Sequence, residues 1–95
     1  MLENFKEKIF KRNNDFPWQS FTSETIIIDP ENNQSFELNE LGTFIWQKLD
    51  GKTPVSEIID GILKEYETDD EQVIKDLNEL IISMIEARII IGDAA

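Results

Sequence analysis

The sequence predicts an α+β fold in which an N-terminal antiparallel β-hairpin or three-stranded sheet is followed by three helices. Three observations lead to this prediction. Two short apolar runs flank a turn at residues 29–33, as expected for a hairpin. Residues 36–51 change from the two-residue period of a strand to the period of a helix. Two further apolar stripes at helical spacing follow, and residues typical of helix starts precede each of them.

The first twenty residues are weakly patterned. Ile9 and Phe10 either begin a short edge strand or belong to a loose arm. The bases of this segment alternate with acids, which indicates a solvated surface rather than a phosphate site. The motif Phe16-Pro17-Trp18 argues against a central strand, because proline cannot donate to a sheet ladder. We expect its rings to cover one end of the core, and the alternative is that Trp18 forms a partner surface.

The hairpin is predicted from residues 25–38. Thr25–Asp29 is apolar and β-branched, and Gln34–Leu38 returns as its partner strand. Pro30 and the following asparagines suit the turn between them. The acids and amides of this turn resemble a calcium loop in number. Gln34, however, stands where such a loop needs glycine, so no calcium site is predicted.

The next two helices carry start and stop signals. Asn39 is predicted to cap the first helix, and Gly51 to end it in the left-handed conformation. The second helix is predicted to start at Thr53-Pro54, with threonine as the cap and proline at the first helical position.

The third helix is predicted over residues 69–87, after a capping box at residues 68–71. Its apolar residues cover about half of the helix circumference or more, which exceeds the needs of one core face. Either the helix is sandwiched on two sides, or it leaves a groove for a partner. Residues 89–91 are predicted to form a short closing strand and residues 92–95 a tail. The apolar residues are Val73, Ile74, Leu77, Leu80, Ile81, Ile82, Met84 and Ile85.

Composition limits the chemistry. The chain lacks cysteine and histidine, so disulfides, the commonest general base and the commonest metal ligand are missing. Acid pairs such as Asp69 and Asp70 are explained by helix capping. We therefore expect no enzymatic activity, no cofactor and no bound metal.

Charge and hydropathy limit the kinds of partner that the chain can bind. The net charge is −11, which repels nucleic acid and anionic membranes. This acidity either keeps a small domain soluble or attracts a basic partner. No apolar run approaches the roughly 20 residues that span a bilayer. The first five residues also lack a secretory pattern. We expect a single cytoplasmic domain over residues 1–95, in which residues 1–20 form an N-terminal strand or arm.

A hairpin followed by three helices is a winged helix-turn-helix-like arrangement, for which a DNA-binding module is the first hypothesis. The acids of the third helix oppose this hypothesis, because they would face phosphates.

Several motifs between about residues 24 and 91 form one pattern: Phe36-Glu37-Leu38-Asn39-Glu40, Gly42-Thr43-Phe44-Ile45-Trp46, Leu49-Asp50-Gly51-Lys52-Thr53, Glu57-Ile58, Tyr66, Asp76-Leu77, Leu80-Ile81, Met84 and Ile89-Ile90. Together these motifs resemble the PqqD-like family. Arg88 departs from the pattern, since the family often has glycine there.

The resemblance implies a non-catalytic recognition element for ribosomally made, post-translationally modified peptides. Such a module captures the leader segment of a precursor peptide by strand addition and presents it to a modifying enzyme, such as a radical-SAM enzyme or a leader peptidase. A second copy of the chain is a further candidate partner. The alternative is a winged-helix module for protein interaction or transcription regulation.

The leader is expected to pair with the last hairpin strand and to lie against the third helix. Asp76 either holds a basic residue or a backbone N–H of the leader, or is a solvated helix acid. Likewise, the apolar members of the third helix either line the groove or pack the core. The predicted binding residues are Gln34, Ser35, Phe36, Glu37, Leu38, Val73, Asp76, Leu77 and Leu80.

Overall fold

A computed structural model of the protein describes residues 4–92. Within these residues the chain forms three α-helices and two three-stranded sheets, which confirms the predicted α+β class. Residues 1–3 and 93–95, predicted to belong to the N-terminal arm and the tail, lie outside the described part. In chain order, after a short 3-10 helix, the elements are β1 Ile9–Arg12, β2 Trp18–Ser20, β3 Thr25–Asp29, β4 Gln34–Leu38, α1 Glu40–Lys48, β5 Asp50–Pro54, α2 Val55–Glu65, α3 Asp70–Glu86 and β6 Ile90–Ile91.

The predicted hairpin is formed by β3 and β4. Its turn is stabilised by Asp29, whose carboxylate accepts the main-chain N–H groups of Glu31 at 3.1 Å and Asn32 at 3.2 Å. Asn33 adopts the left-handed conformation with φ of 52°, which asparagine tolerates better than most residues. β2 pairs with the other side of β3, so the sheet order is β2-β3-β4 and β4 is an edge strand.

The second sheet has the order β5-β1-β6, so the N-terminal segment is neither an edge strand nor a loose arm. β1 is the central strand, and Phe10 on it is buried. Lys11 is paired with Asp50 on one side and with Ile91 on the other. The expectation from sequence was wrong because both partners of β1 are distant in sequence, and a four-residue strand carries little pattern of its own.

β5 lies between the first two helices, where only a stop and a start were predicted. The Asp50 carboxylate accepts the N–H groups of Lys52 and Thr53, both at 2.9 Å, and the Thr53 hydroxyl at 3.0 Å. Thr53 is therefore engaged with Asp50 and does not cap α2. Pro54 is the extended residue before the helix rather than its first member, and no side chain caps that end. Gly51 is left-handed as predicted, with φ of 80°, but it lies inside β5.

The other two helix starts are capped by side chains. Asn39 accepts the N–H of Gly42 at 2.9 Å, which confirms the predicted cap of α1. The cap of α3 is Asp69, which accepts the N–H of Gln72 at 2.9 Å. The expected capping box beginning at Thr68 is therefore not formed: the cap lies one residue later, and the Gln72 side chain donates to Asp76 rather than back to the cap residue.

Arg12, expected at a solvated surface, joins β1 to the end of α1. Its guanidinium donates to the Trp46 carbonyl at 2.8 Å and to the Gln47 carbonyl at 3.2 Å, in the last turn, where a helix has no further turn to supply N–H donors to its carbonyls. The same group lies 5.1 Å from the centre of the Trp18 ring, close enough for a cation–π contact. Trp18 meets Trp46 edge to face and remains 41% exposed, so it covers the core and still faces solvent.

The turn after α3 contains Arg88, the position at which the resemblance implies glycine. Arg88 is left-handed, with φ of 67°. Its N–H donates to the Ile85 carbonyl at 3.0 Å, and the Ile89 N–H donates to the Met84 carbonyl at 3.1 Å. These two bonds form a Schellman motif, in which the left-handed position strains any residue with a Cβ atom. The chain then enters β6, which is one residue shorter than the predicted closing strand.

A candidate peptide-binding groove

A groove of about 600 Å³ opens between the end of β4 and the first half of α3, and we call it the β4–α3 groove. Its apolar lining residues range from buried on the floor to half-buried on the walls. Its size is within the usual range of ligand sites in proteins. The lining residues are Glu37, Leu38, Asn39, Leu41, Gly42, Ile45, Ile62, Tyr66, Glu67, Thr68, Val73, Asp76, Leu77 and Leu80.

The apolar surplus of α3 is divided between the core and this groove. Val73 and Leu77 are buried and belong to the core, yet they also form part of the groove floor. Leu80 is only half-buried and forms part of a wall. The two roles that the sequence left open, core packing and groove lining, therefore coexist on the same helix face.

Gly42 permits the close approach of α1 to β4 that shapes one wall of the groove. A Cβ atom at this position would lie 3.0 Å from the Cβ atom of Leu38 and 3.3 Å from the capping oxygen of Asn39. Any larger residue would displace Leu38 or weaken the cap of α1. The glycine that follows the cap at this spacing is thus required by the packing of the groove.

The backbone of β4 offers unpaired hydrogen-bonding groups along its open edge. On β3, the N–H of Ile28 donates to the Pro17 carbonyl at 2.8 Å, so it points towards β2. Main-chain groups of successive strand residues point to opposite sides. Those of Ile27 therefore point towards β4, and its partner there is Phe36.

The same alternation extends along β4. Gln34, Phe36 and Leu38 direct their N–H and C=O groups to β3, whereas Ser35 and Glu37 direct theirs to the open edge. An additional strand could therefore pair with Ser35 and Glu37 without breaking any bond of the hairpin.

A second hollow, of about 300 Å³, lies between the first half of β4 and the end of α3. Gln34 and Phe36 line it from the strand, and Arg88 lines it from the turn after the helix. β4 and α3 thus run in opposite directions: Leu38 shares the larger groove with Val73, and Gln34 shares the smaller hollow with Arg88. Together the two hollows border the edge strand over its length.

The structure brings together most of the residues predicted to bind a peptide. Glu37, Leu38, Val73, Asp76, Leu77 and Leu80 all line the β4–α3 groove. Gln34 and Phe36 line the smaller hollow. Ser35 is exposed and lines neither space; only its outward main-chain groups are placed for pairing.

The prediction did not include the contributions of α1 and α2. Leu41 and Ile45 face the groove from α1, and Ile62 and Tyr66 face it from the end of α2. The spacing of Leu41 and Ile45 by four residues places them on one helix face, which is visible in the sequence. Nothing local in the sequence shows that this face borders a groove.

Tyr66 lies where the groove meets the surface between α1 and α2. Its ring contacts Phe44 edge to face, with centres 6.0 Å apart. Partial burial raises the pKa of the Tyr66 hydroxyl above its usual value, and the negative charges of Glu40 and Glu65 add to this effect. Like any tyrosine hydroxyl, it is a protonated donor at neutral pH.

Two features are absent from residues 4–92. No cluster of three or more histidine, cysteine or acidic side chains is placed to hold a metal ion in that part of the chain. No helix of the same residues is long and apolar enough to cross a membrane.

Comparisons with known proteins agree with the predicted resemblance. A model of the family described as coenzyme PQQ synthesis protein D (PqqD) matches residues 24–90. The chain belongs to this family. A solved structure described as TbiB1 in complex with the TbiA(beta) leader peptide has a similar fold, with a TM-score of 0.76 at 22% identity; the match covers 84% of this chain and 93% of that chain. A comparison with curated protein sequences finds no match.

Proposed function

We propose that the protein is a non-catalytic module that captures the leader segment of a ribosomally made precursor peptide and presents it to a modifying enzyme. The observation that carries this proposal is the open edge of β4 beside the β4–α3 groove. The family supports it, and so does the similar fold of a protein whose structure includes a leader peptide.

The leader would bind as an additional strand on β4. Its main chain would exchange hydrogen bonds with Ser35 and Glu37, the two residues whose groups face the open edge. Main-chain pairing of this kind gives affinity, and pockets for alternate side chains give selectivity.

The length of the groove sets how much of the leader it holds. From Val73 to Leu80 the helix rises about 10 Å, at roughly 1.5 Å per residue. An extended peptide covers that distance with about three residues, at roughly 3.3 Å each. Alternate side chains of such a segment would reach the apolar floor, with Leu38 on one side and Leu80 on the other.

The expected affinity follows from opposing contributions. Ordering a disordered leader costs about 2–5 kcal/mol, which main-chain bonds and apolar burial must offset. A dissociation constant near the micromolar range corresponds to about −8 kcal/mol and is sufficient for a carrier that must later release its peptide.

The modifying enzyme is the second expected partner. A module that holds the leader leaves the remainder of the precursor free to enter an active site elsewhere. A radical-SAM enzyme or a leader peptidase acting on the same precursor would suit this role, and a second copy of the chain is a further candidate partner.

The alternative, a transcription regulator, is not favoured by the comparisons or by charge. Glu71, Asp76 and Glu79 are all exposed on α3, the helix that would have to approach phosphates. We expect no detectable binding to duplex DNA at physiological salt. A salt-sensitive, sequence-selective gel shift would revive this alternative.

The direct test uses a candidate precursor, taken from any short reading frame that adjoins this protein's gene. Its N-terminal and C-terminal halves are synthesised as separate peptides, and their binding is measured by calorimetry. The proposal predicts that the N-terminal half, the leader, binds near or below micromolar and the C-terminal half does not. Equal, weak binding of both halves would contradict it.

A further inference from the structure

The β4–α3 groove combines an apolar floor with charged lining residues that are all acidic. Besides Glu37, whose main chain faces the open edge, two acids line it: Glu67 before α3 and Asp76 on α3. No lysine or arginine is among its lining residues in the described chain. A peptide strand in this groove would therefore have carboxylates beside it and no protein cation to balance them.

Asp76 is available to a ligand. It is exposed, and its Oδ1 atom accepts a hydrogen bond from the Gln72 side chain at 2.8 Å. That bond joins residues four apart on the helix and holds the carboxylate in place without neutralising it. Oδ2 has no such bond to Gln72, so it can accept a hydrogen bond from a cationic group on the leader.

The smaller hollow differs in charge from the groove. There the acids Asp29, Glu31 and Glu86 are accompanied by the guanidinium of Arg88. A leader strand running along β4 would thus meet mixed charge at the Gln34 end and only negative charge at the Leu38 end. This difference gives the leader a preferred register and direction.

We infer that the leader segment recognised at the Leu38 end of β4 carries a lysine or arginine beside apolar residues, with the cation placed between Glu67 and Asp76. This inference rests on the proposed function and deepens it, because it specifies the chemistry of the peptide. The apolar side chains fill the floor of the groove, while the base remains at the rim, where its charge stays partly hydrated.

Each ion pair between the leader cation and a groove carboxylate should contribute modestly to affinity, and the two pairs together should contribute more. An exposed ion pair changes affinity by up to about fivefold, so losing both carboxylates should weaken binding about threefold to tenfold. Because such pairs are screened, the advantage should shrink when salt is raised from about 0.05 M to about 0.5 M.

The test is a selection from a displayed library of random peptides on the full chain. It is carried out in parallel on the wild type, on Glu67→Gln/Asp76→Asn, and on the matched control Glu57→Gln/Glu79→Gln. Each double variant loses two negative charges, so the net charge of the two variants is equal. The control positions are exposed and lie outside both hollows. Thermal unfolding verifies that all three proteins are folded.

We expect Lys or Arg beside apolar residues among peptides selected by the wild type and the control, and loss of that enrichment with Glu67→Gln/Asp76→Asn. Selected peptides should also shift the amide resonances of Ser35 and Glu37. Peptides that shift those resonances but show no basic enrichment would overturn this inference and leave the proposed function intact. If selected peptides leave β4 and α3 unshifted, or none is selected, the proposed function itself fails.

Discussion

The outward-facing backbone of Ser35 allows a substitution that separates leader binding from folding. Its N–H points to the open edge of β4 and bonds to nothing within the hairpin. Proline at an edge position removes only such an unpaired donor, so Ser35→Pro should cost little stability. The adjacent Gln34 is the matched control, because its N–H points to β3 and supports the ladder.

The magnitude follows from one main-chain hydrogen bond. Its net value is about 0.5–1.5 kcal/mol, so Ser35→Pro should weaken leader binding about twofold to tenfold. The proline ring also occupies the space of the incoming strand, which adds to the loss. Gln34→Pro should instead lower the free energy of unfolding by about 1 kcal/mol or more, since a ladder bond is broken.

The assay pairs two measurements on each variant: urea unfolding for stability, and calorimetric titration with the leader for affinity. We expect Ser35→Pro to be nearly as stable as the wild type but to bind the leader more weakly. Gln34→Pro should be less stable and should bind the leader nearly as tightly as the wild type. A folded Ser35→Pro protein that binds the leader as tightly as the wild type would refute the assigned direction of the β4 edge.

Three further predictions concern the stability of the fold around the groove. Arg88→Gly should raise the free energy of unfolding by about 0.5–1 kcal/mol, because glycine adopts the left-handed turn after α3 without strain. Thr43→Val should lower it by about 1–2 kcal/mol, because the buried hydroxyl of Thr25 donates to Thr43 at 2.9 Å. The pKa of the Asp50 carboxyl is lowered, chiefly by the Lys52 N–H, so its contribution to stability is present above about pH 4 and is lost as pH falls through the lowered pKa. Asp50→Asn should therefore be less stable than the wild type at neutral pH, and the difference should shrink in acid.

Each of these has its own control. Arg88→Ala keeps the Cβ atom, so it should gain nothing; an equal gain in both variants would rule out backbone strain as the cause. The double variant Thr25→Val/Thr43→Val should cost less than the sum of its single changes, and strict additivity would exclude the hydrogen bond. For Asp50, a stability difference from the wild type that stays constant from neutral pH to about pH 3 would contradict the assigned role of the carboxylate.

Local chemistry made part of this fold predictable. The Thr25–Asp29 and Gln34–Leu38 strands could be predicted because each has a short apolar pattern. A turn of proline and asparagine separates them. Asn39 could be predicted as a cap because its side chain accepts a hydrogen bond from an N–H group within the first turn of the helix. Such signals depend on neighbours in sequence.

The second sheet was not predictable in the same way. β5 was hidden because Gly51 and Pro54 resemble a helix stop and a helix start, and only pairing with β1 makes them a strand. Arg12 looked like a surface base because its partner, the end of α1, lies 34 positions away in sequence. The groove was predicted from β4 and α3. The contributions of α1 and α2 were missed because they depend on packing between residues that are similarly far apart in sequence.

Addition of a leader peptide as a strand to β4, against α3, can be observed by amide-resonance mapping and hydrogen exchange with the cognate leader. We expect shifts clustered on residues 35–38 and 73–80, with new exchange protection at Ser35 and Glu37 and unchanged protection at Phe36. Shifts confined to the first 21 residues, with β4 and α3 silent, would contradict it.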